Sequence, residues 1–234
     1  MARSSKTNSG EHRFIWDLSS GSSGTDVEGQ DIDAASIPPG PRVPPGTYAL
    51  RLTVDGGSME RPVQVIMDPR SAATTQLITQ QFALGQSIYL ETLASRKAMA
   101  ELESVENQLN ALQAKEHNPA DLQQELSSAL TKLESIKNGE DEISTAPIKR
   151  VGLADANTGL GVALRIVESG DRPAPSQAIT IFNQMKIAAD AQIAAWQHFK
   201  TNELAKVNNA LQRAHQPSMQ IAAIEEQVHY AMTR

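Results

Sequence analysis

The chain has no cysteine and few aromatic residues, and both features restrict the kinds of fold and functional site that it can contain. Without cysteine it can form no disulfide framework, no thiol nucleophile and no thiolate metal site. Aromatic residues make up 4% of the 234 residues, whereas hydrophobic residues of all kinds make up 40%. The core must therefore be largely aliphatic, which is typical of packed helices rather than of a large β-sandwich.

Clustered positive charge and long apolar runs are also missing. The 27 acidic and 21 basic side chains give a formal net charge of −6. Because phosphate neutralisation needs clustered Lys and Arg, we expect no nucleic-acid partner. No stretch approaches the roughly 18 apolar residues of a membrane span, so we expect no membrane insertion. The first ten residues are polar and contain no apolar signal-peptide core.

The composition of the chain changes near Pro69. Proline, glycine and serine are frequent before this point, whereas alanine, leucine, glutamine and glutamate dominate beyond about residue 72. A break of this kind indicates a change of architecture. We therefore predict a small β module over residues 1–70 and an α-helical bundle over residues 71–234, which together make an α+β fold.

The β module contains three predicted strands. Residues 47–54 alternate between apolar and polar side chains, Asp-Gly-Gly at residues 55–57 suits a tight turn, and alternation resumes over residues 63–67. This pattern predicts a β-hairpin. Residues 12–18 are predicted to form a third short strand, and residues 19–41 a long flexible loop. The β module is therefore predicted to be a small antiparallel unit.

Four helices are predicted beyond residue 70. Apolar residues at three- and four-residue steps predict them over residues 74–116, 119–138, 158–168 and 176–216. Asn118 is the predicted N-cap of the second helix. The two long helices carry similar apolar stripes, which predicts an elongated antiparallel bundle with coiled-coil-like packing.

No motif for catalysis, metal binding or cofactor binding is present. The histidines lack the i, i+4 spacing of a helical zinc site, and the acidic residues 140–142 lack the pattern of a calcium loop. Gly159-Leu160-Gly161 lacks the third glycine of a dinucleotide-binding loop, so we interpret these glycines as sites of close helix packing. Glycoside cleavage needs two carboxylates that face each other across a cleft. Helical acids such as Glu101 are interpreted as residues of a charged helix face, with no second group that converges on them. We therefore expect no catalytic residue, no metal and no cofactor.

Four aromatic residues are candidates for ligand contact. Trp16, Tyr48, Trp196 and Phe199 could line a sugar platform or a partner groove, although aromatic residues at strand and helix-stripe positions are more often core residues. Trp16 and Tyr48 lie in the β module and are our two candidates for sugar stacking or partner contact. Carbohydrate is therefore the one small-molecule ligand class that we retain.

Three stretches together resemble a known family. They are His12-Arg-Phe-Ile-Trp-Asp-Leu18, Gly40-Pro-Arg-Val-Pro-Pro-Gly-Thr-Tyr-Ala-Leu-Arg-Leu-Thr-Val-Asp-Gly56 and Val63-Gln-Val-Ile-Met-Asp-Pro-Arg70. They resemble the region that follows the propeller in bacterial BNR-repeat, sortilin-like β-propeller proteins. Residues 169–175, Trp196 and residues 203–211 are similar to the closing helices of that family.

The resemblance implies a C-terminal part of such a protein, in the periplasm or outside the cell. This part is expected to consist of a small antiparallel β-sandwich-like unit of the immunoglobulin or fibronectin kind, followed by a helical bundle. Family members are often labelled glycosyl hydrolases or sialidase-like because of their propeller repeats. This chain contains no such repeat, so the propeller-borne site cannot be carried over. We expect a non-catalytic structural or protein-interaction module. Its expected partner is a propeller domain, or a second copy bound through the long helices. The alternatives are a carbohydrate-binding accessory domain and a glycosyl hydrolase.

Overall fold

A computed structural model describes residues 16–20, 39–54, 56–139 and 150–221. Its elements are the strands β1 (Gly46–Val54) and β2 (Gly57–Val65) and the helices α1 (Thr75–Gln113), α2 (Ala120–Asn138), α3 (Leu153–Val167), α4 (Ser176–His198) and α5 (Leu204–Arg213), with a π-helical turn, Phe199–Glu203, between α4 and α5. The predicted α+β class is confirmed.

The β part of the described residues is a single hairpin. β1 and β2 pair antiparallel, with Val54 opposite Gly57 across a two-residue turn. Gly56 in this turn has a φ of +80°, which glycine adopts without steric cost. The predicted hairpin is confirmed, whereas the sandwich stays a prediction. Residues 12–15 of the predicted third strand and residues 21–38 of the predicted loop lie outside the described residues.

The contacts divide the described chain into two compact units. The first unit holds the described residues up to Tyr89 together with Leu164–Ala178, and the second holds Leu90–Ala163 and the described residues from Ile179 on. The first unit therefore contains helical residues as well as the hairpin. The predicted domain boundary after residue 70 coincides with the change from strands to helices, not with the boundary between the two compact units.

The second unit is a helical bundle with a largely aliphatic core. Two aromatic side chains, Trp196 and Phe199, are buried in it. This agrees with the expectation that aromatic residues on the apolar stripe of a helix are more often core residues. The other large side chains that are almost fully buried in this core are Leu102, Val105, Leu109, Leu122, Leu126, Leu133, Leu153 and Leu211.

Side-chain contacts give the direction of each helix in this unit. Contacts between antiparallel segments are Glu106–Lys137, Gln113–Ser127, Asp121–Arg213, Lys132–Glu203, Val151–Gln192 and Gly159–Met185. Contacts between parallel segments are Glu91–Lys186 and Glu101–Lys200. The predicted antiparallel packing therefore applies to α1 with α2, α2 with α5 and α3 with α4. The two long legs, α1 and α4–α5, run parallel because α2 and α3 together form the returning leg.

Two glycines join α2 to α3. Gly139 has a φ of +80° and forms an isolated antiparallel bridge with Val151. A Cβ atom on Gly139 would overlap the Arg150 carbonyl oxygen, and one on Gly152 would overlap the backbone of Asn138. This close approach lets the chain re-enter the bundle at the point where α2 ends.

Four predicted helix boundaries are wrong. α1 ends at Gln113 rather than at residue 116. Asn118 does not cap α2, because its Nδ2 donates to the Leu112 carbonyl oxygen (2.8 Å) and so closes the end of α1. α3 begins at Leu153 rather than at residue 158, since Ala156 N–H already donates to Gly152 O. The last helix ends at Arg213 rather than at residue 216 and is interrupted by the π-helical turn.

The π-helical turn shifts the buried stripe of the last leg by one residue. Gln192, Trp196 and Phe199 are buried at steps of four and three, and a regular helix would next place Glu203 and then Lys206 inward. Glu203 is itself buried and pairs with Lys132 and Lys206. The extra residue of the turn places Leu204 and then Val207, rather than Lys206, on the buried stripe beyond it. The turn thereby keeps leucine and valine in the core.

Candidate functional site

The two faces of the hairpin differ in polarity. Side chains alternate along each strand, and residues directly opposite each other share a face. One face, here called the apolar face, carries Tyr48, Leu50, Leu52 and Val54 of β1 and Met59, Arg61 and Val63 of β2. The other, here called the polar face, carries Thr47, Ala49, Arg51 and Thr53 of β1 and Ser58, Glu60, Pro62 and Gln64 of β2.

Four large side chains on the apolar face are exposed in the described structure. The exposed fractions are 45% for Leu50, 61% for Leu52, 58% for Val54 and 56% for Met59. A sheet normally buries its apolar face against a second layer, and a lone two-stranded hairpin is only marginally stable. Contiguous exposed apolar side chains mark sites of interaction. The apolar face is therefore the strongest candidate site of the first unit.

Trp16 and Tyr48, the two candidates from the sequence, lie together at the base of the hairpin. Their rings meet edge to face, with centroids 5.7 Å apart. Trp16 Nε1 donates to the Ser19 carbonyl oxygen (3.1 Å), and the Tyr48 hydroxyl donates to the Pro44 carbonyl oxygen (2.5 Å). Burial raises the pKa of the Tyr48 hydroxyl. The polar groups of both rings are thus engaged by nearby backbone, and sugar stacking on these rings stays a prediction.

The ends of the predicted loop over residues 19–41 are joined to each other. Ser20 N–H donates to Pro41 O (2.9 Å) and Val43 N–H donates to Leu18 O (2.8 Å), around a bridge between Ser19 and Arg42. This short ladder fixes Trp16 and the start of β1 next to each other.

The same segment is anchored on helical residues of the first unit. Arg42 N–H donates to Glu168 Oε2 (3.1 Å). Burial raises the pKa of Glu168, and the hydrogen bond from Arg42 opposes that rise. A Cβ atom on Gly85 would lie 3.0 Å from Glu168 Oε1 and 3.0 Å from Pro41 Cβ. Glycine at this position of α1 therefore lets the segment lie directly on the helix.

A second polar cluster lies in the second unit at the π-helical turn. Glu101 Oε2 accepts hydrogen bonds from Trp196 Nε1 (2.9 Å) and Lys200 Nζ (2.7 Å), and only 12% of the Glu101 side chain is exposed. Lys200 Nζ also lies 5.4 Å from the centre of the Trp196 ring. The interpretation of Glu101 as a charged-face residue with nothing to converge on is therefore wrong, because two donors of the facing leg converge on it.

The electrostatics of this cluster favour a structural role. Burial acts to raise the pKa of Glu101, but the hydrogen bonds from Lys200 and Trp196 and the charge of Lys200 outweigh it and hold the pKa below its usual value. A general acid needs the opposite shift, towards the working pH. The Glu101 carboxylate is kept ionised and occupied, so it ties α1 to α4 and the π-helical turn.

The sequence contains one signal for this cluster. After Phe199 the next apolar residue of the last helix is Leu204, five residues further on, whereas a regular helical stripe repeats at three or four residues. A five-residue step indicates an inserted residue, as in a π-helical turn. The partner on α1 could not be identified in this way, since only helix packing brings Glu101 to Lys200.

Neither a metal cluster nor a membrane-spanning helix is present in the described part of the chain. It contains no group of three or more His, Asp or Glu side chains placed to hold a metal ion. None of its helices combines the length and the hydropathy needed to cross a bilayer.

The fold and the site define an α+β protein that carries an exposed apolar hairpin face and a helical bundle. No protein-family model, curated protein or solved structure matches this chain.

Proposed function

We propose that the chain is a non-catalytic protein-interaction module that binds a folded partner domain through the apolar face of its hairpin. The observation that carries the proposal is the exposure of Leu50, Leu52, Val54 and Met59 on one face. Fully burying a side chain of this size contributes about 1.5–3 kcal/mol. Because these four are roughly half exposed, covering them is worth a few kcal/mol to a partner.

The proposed partner is a β-rich domain. A sheet face of this width is normally covered by a second sheet packed about 10 Å away. The family resemblance supports the same partner, since the stretches that carry it follow a β-propeller in the BNR-repeat proteins. Arg61 is the one charged residue on the apolar face, so a partner surface with a carboxylate at its rim is complementary.

The carbohydrate-binding alternative rests on Trp16 and Tyr48. Sugar stacking needs an open ring face, whereas these two rings meet edge to face and are both half-buried. Neither observation favours this alternative over protein binding. The two clusters give the glycosyl hydrolase alternative no support, because Glu168 accepts a hydrogen bond from Arg42 N–H and Glu101 accepts one from Lys200 Nζ.

Photo-cross-linking from the two faces of β1 tests the proposal. A photoreactive phenylalanine derivative replaces either Leu52 on the apolar face or Thr53 on the polar face, in the full chain expressed in its source cells. Both positions are exposed, so they form a matched pair. We expect the variant at residue 52 to form an adduct with a protein other than a second copy of the chain, identified by mass spectrometry as carrying a β-rich domain, and the variant at residue 53 to form no adduct with such a protein. Equal labelling of such a protein from both positions, or none from residue 52, would contradict the proposal.

A further inference from the structure

The hairpin has two outer edges as well as two faces. A two-residue turn closes on a hydrogen-bonded pair, here Val54 and Gly57, and such pairs alternate with non-hydrogen-bonded pairs along an antiparallel ladder. The register therefore points the backbone N–H and C=O groups of every polar-face residue outward. These outward residues are Thr47, Ala49, Arg51 and Thr53 on β1 and Ser58, Glu60, Pro62 and Gln64 on β2.

The outer edge of β2 is interrupted. Pro62 has no N–H to donate at an outward position, and the Glu60 carbonyl oxygen already accepts a hydrogen bond from Arg61 Nη1 (3.3 Å). Proline and charged residues on an edge strand are the usual devices that prevent strand addition. A further strand is therefore disfavoured at β2.

The outer edge of β1 carries only one of these devices, the charged residue Arg51, whose side chain is paired with Glu60 of β2 (2.5 Å). It contains no proline between Thr47 and Thr53, and its four outward residues are all exposed. Among the residues that the structure describes, no backbone group bonds to this edge. A row of free N–H and C=O groups of this length is a template for strand pairing.

We propose that the outer edge of β1 pairs antiparallel with the β1 edge of a second copy of the chain, with Leu50 at the centre of the pairing. In this register the residue numbers of each opposite pair add to 100. Each residue whose N–H and C=O groups point outward therefore lies opposite an outward-pointing residue of the second copy. Ala49 lies opposite the second copy's Arg51, and Thr47 lies opposite its Thr53. The result is a symmetric four-stranded sheet.

The side chains of β1 favour this register over its neighbours. It places each Arg51 opposite Ala49 rather than opposite the other Arg51, and it brings Thr47 opposite threonine, a favourable cross-strand pair. Centring the pairing on Arg51 would set like charges directly opposite each other, which is destabilising. Centring it on Ala49 would place Thr53 opposite Pro45, which has no N–H. A second copy is thus complementary to this edge in one register.

The pairing also widens the apolar face. Opposite residues share a face, so the second copy's Leu50 and Leu52 extend the apolar face across four strands. The strand pairing itself needs no partner other than the second copy. The binding of a partner domain to the wider apolar face rests on the proposed function. One strand edge buries less surface than the roughly 1,200–2,000 Å² of a standard stable interface. The dimer is therefore weak and depends on concentration.

Sedimentation equilibrium on the full chain tests the pairing with two matched proline variants. Ala49→Pro removes an outward N–H from β1, and Gln64→Pro removes one from β2, and neither N–H belongs to the hairpin ladder. We expect the weight-average mass of the native chain and of Gln64→Pro to rise with concentration towards twice 25.3 kDa. We expect Ala49→Pro to stay near 25.3 kDa. A native chain that stays monomeric, or an Ala49→Pro variant that dimerises like Gln64→Pro, overturns the inference.

Single cysteine variants test the register, since the chain has no cysteine of its own. The central pair of Leu50 residues is a non-hydrogen-bonded pair with Cα atoms about 4.5 Å apart, which is within the range of a disulfide. We expect mild oxidation to convert Leu50→Cys into a covalent dimer and to leave Met59→Cys, on β2, monomeric. Equal cross-linking of both variants overturns the register.

The two proposals can fail separately. If the dimer is absent but residue 52 forms its adduct with a β-rich domain, only the strand pairing is overturned. If the dimer forms but residue 52 gives no adduct with a β-rich domain, only the proposed function is overturned.

Discussion

Single side chains in this molecule are placed by contacts that local sequence does not encode. The residues next to Glu101 in the sequence suggest that its side chain is solvated. Its carboxylate nevertheless accepts hydrogen bonds from Trp196 and Lys200 of another leg. The burial of Trp196 and Phe199, by contrast, follows from their positions on an apolar stripe. Apolar periodicity therefore predicts which residues are buried, but not which polar group meets them.

The Glu101 contact makes a pH-dependent prediction. Its pKa is lowered in the folded chain, so the stability it contributes is present above the usual carboxyl value of 4.5 and is lost as the pH falls through the lower folded value. We expect Glu101→Gln to cost about 1–2 kcal/mol of unfolding free energy at pH 7. The difference from the native chain should shrink below pH 4.5.

Urea denaturation over a pH series measures this difference. Glu103→Gln, at an exposed position two residues away, is the matched control and should change stability by no more than about 0.5 kcal/mol. A Glu101→Gln variant that matches this control at pH 7, or a difference that grows towards low pH, would argue against the ion pair.

At the scale of elements, the hairpin was predictable and the junctions between helices were not. Period-two alternation and Asp-Gly-Gly are local signals, so β1, β2 and their turn follow from the sequence. The start of α3 and the π-helical turn depend on contacts with distant residues. Gly152 illustrates the difference, because its lack of a side chain matters only through the backbone of Asn138.

Two glycines in α3 and at its start give a matched pair of substitutions. Gly152→Ala forces a Cβ atom into the backbone of Asn138 and Gly139, and we expect it to destabilise the chain by about 2–4 kcal/mol. Gly161→Ala adds a Cβ atom that meets nothing within 4 Å, so the interpretation of Gly161 as a site of close helix packing is wrong, whereas a Cβ atom on Gly159 would overlap Met185. Gly161→Ala should be neutral or should stabilise α3 by about 0.5–1 kcal/mol. Thermal and urea unfolding compare the two, and similar effects at both positions would contradict the close junction between α2 and α3.

At the scale of the whole molecule, the sequence predicts a hairpin followed by helices but not the direction of the legs. Two long striped helices suggest an antiparallel pair, whereas the contacts Glu91–Lys186 and Glu101–Lys200 run parallel. The returning leg is made of two shorter helices that meet at Gly139 and Gly152. No local sequence pattern shows that α2 and α3 form one leg. The order and direction of the legs therefore could not be predicted from the sequence. The candidate site behaves differently, since alternation along β1 already separates an apolar face from a polar one.

The most direct test of docking through the apolar face is the affinity of two aspartate variants for the domain identified by cross-linking. Leu52→Asp places a charge on the apolar face, and Thr53→Asp places the same charge on the polar face of the same strand. Both sites are exposed, so we expect both variants to unfold at the temperature of the native chain. The account predicts that Leu52→Asp weakens binding at least about tenfold, equivalent to about 1.4 kcal/mol, and that Thr53→Asp leaves it within about twofold. Equal loss of affinity in the two variants, or none in Leu52→Asp, would contradict it.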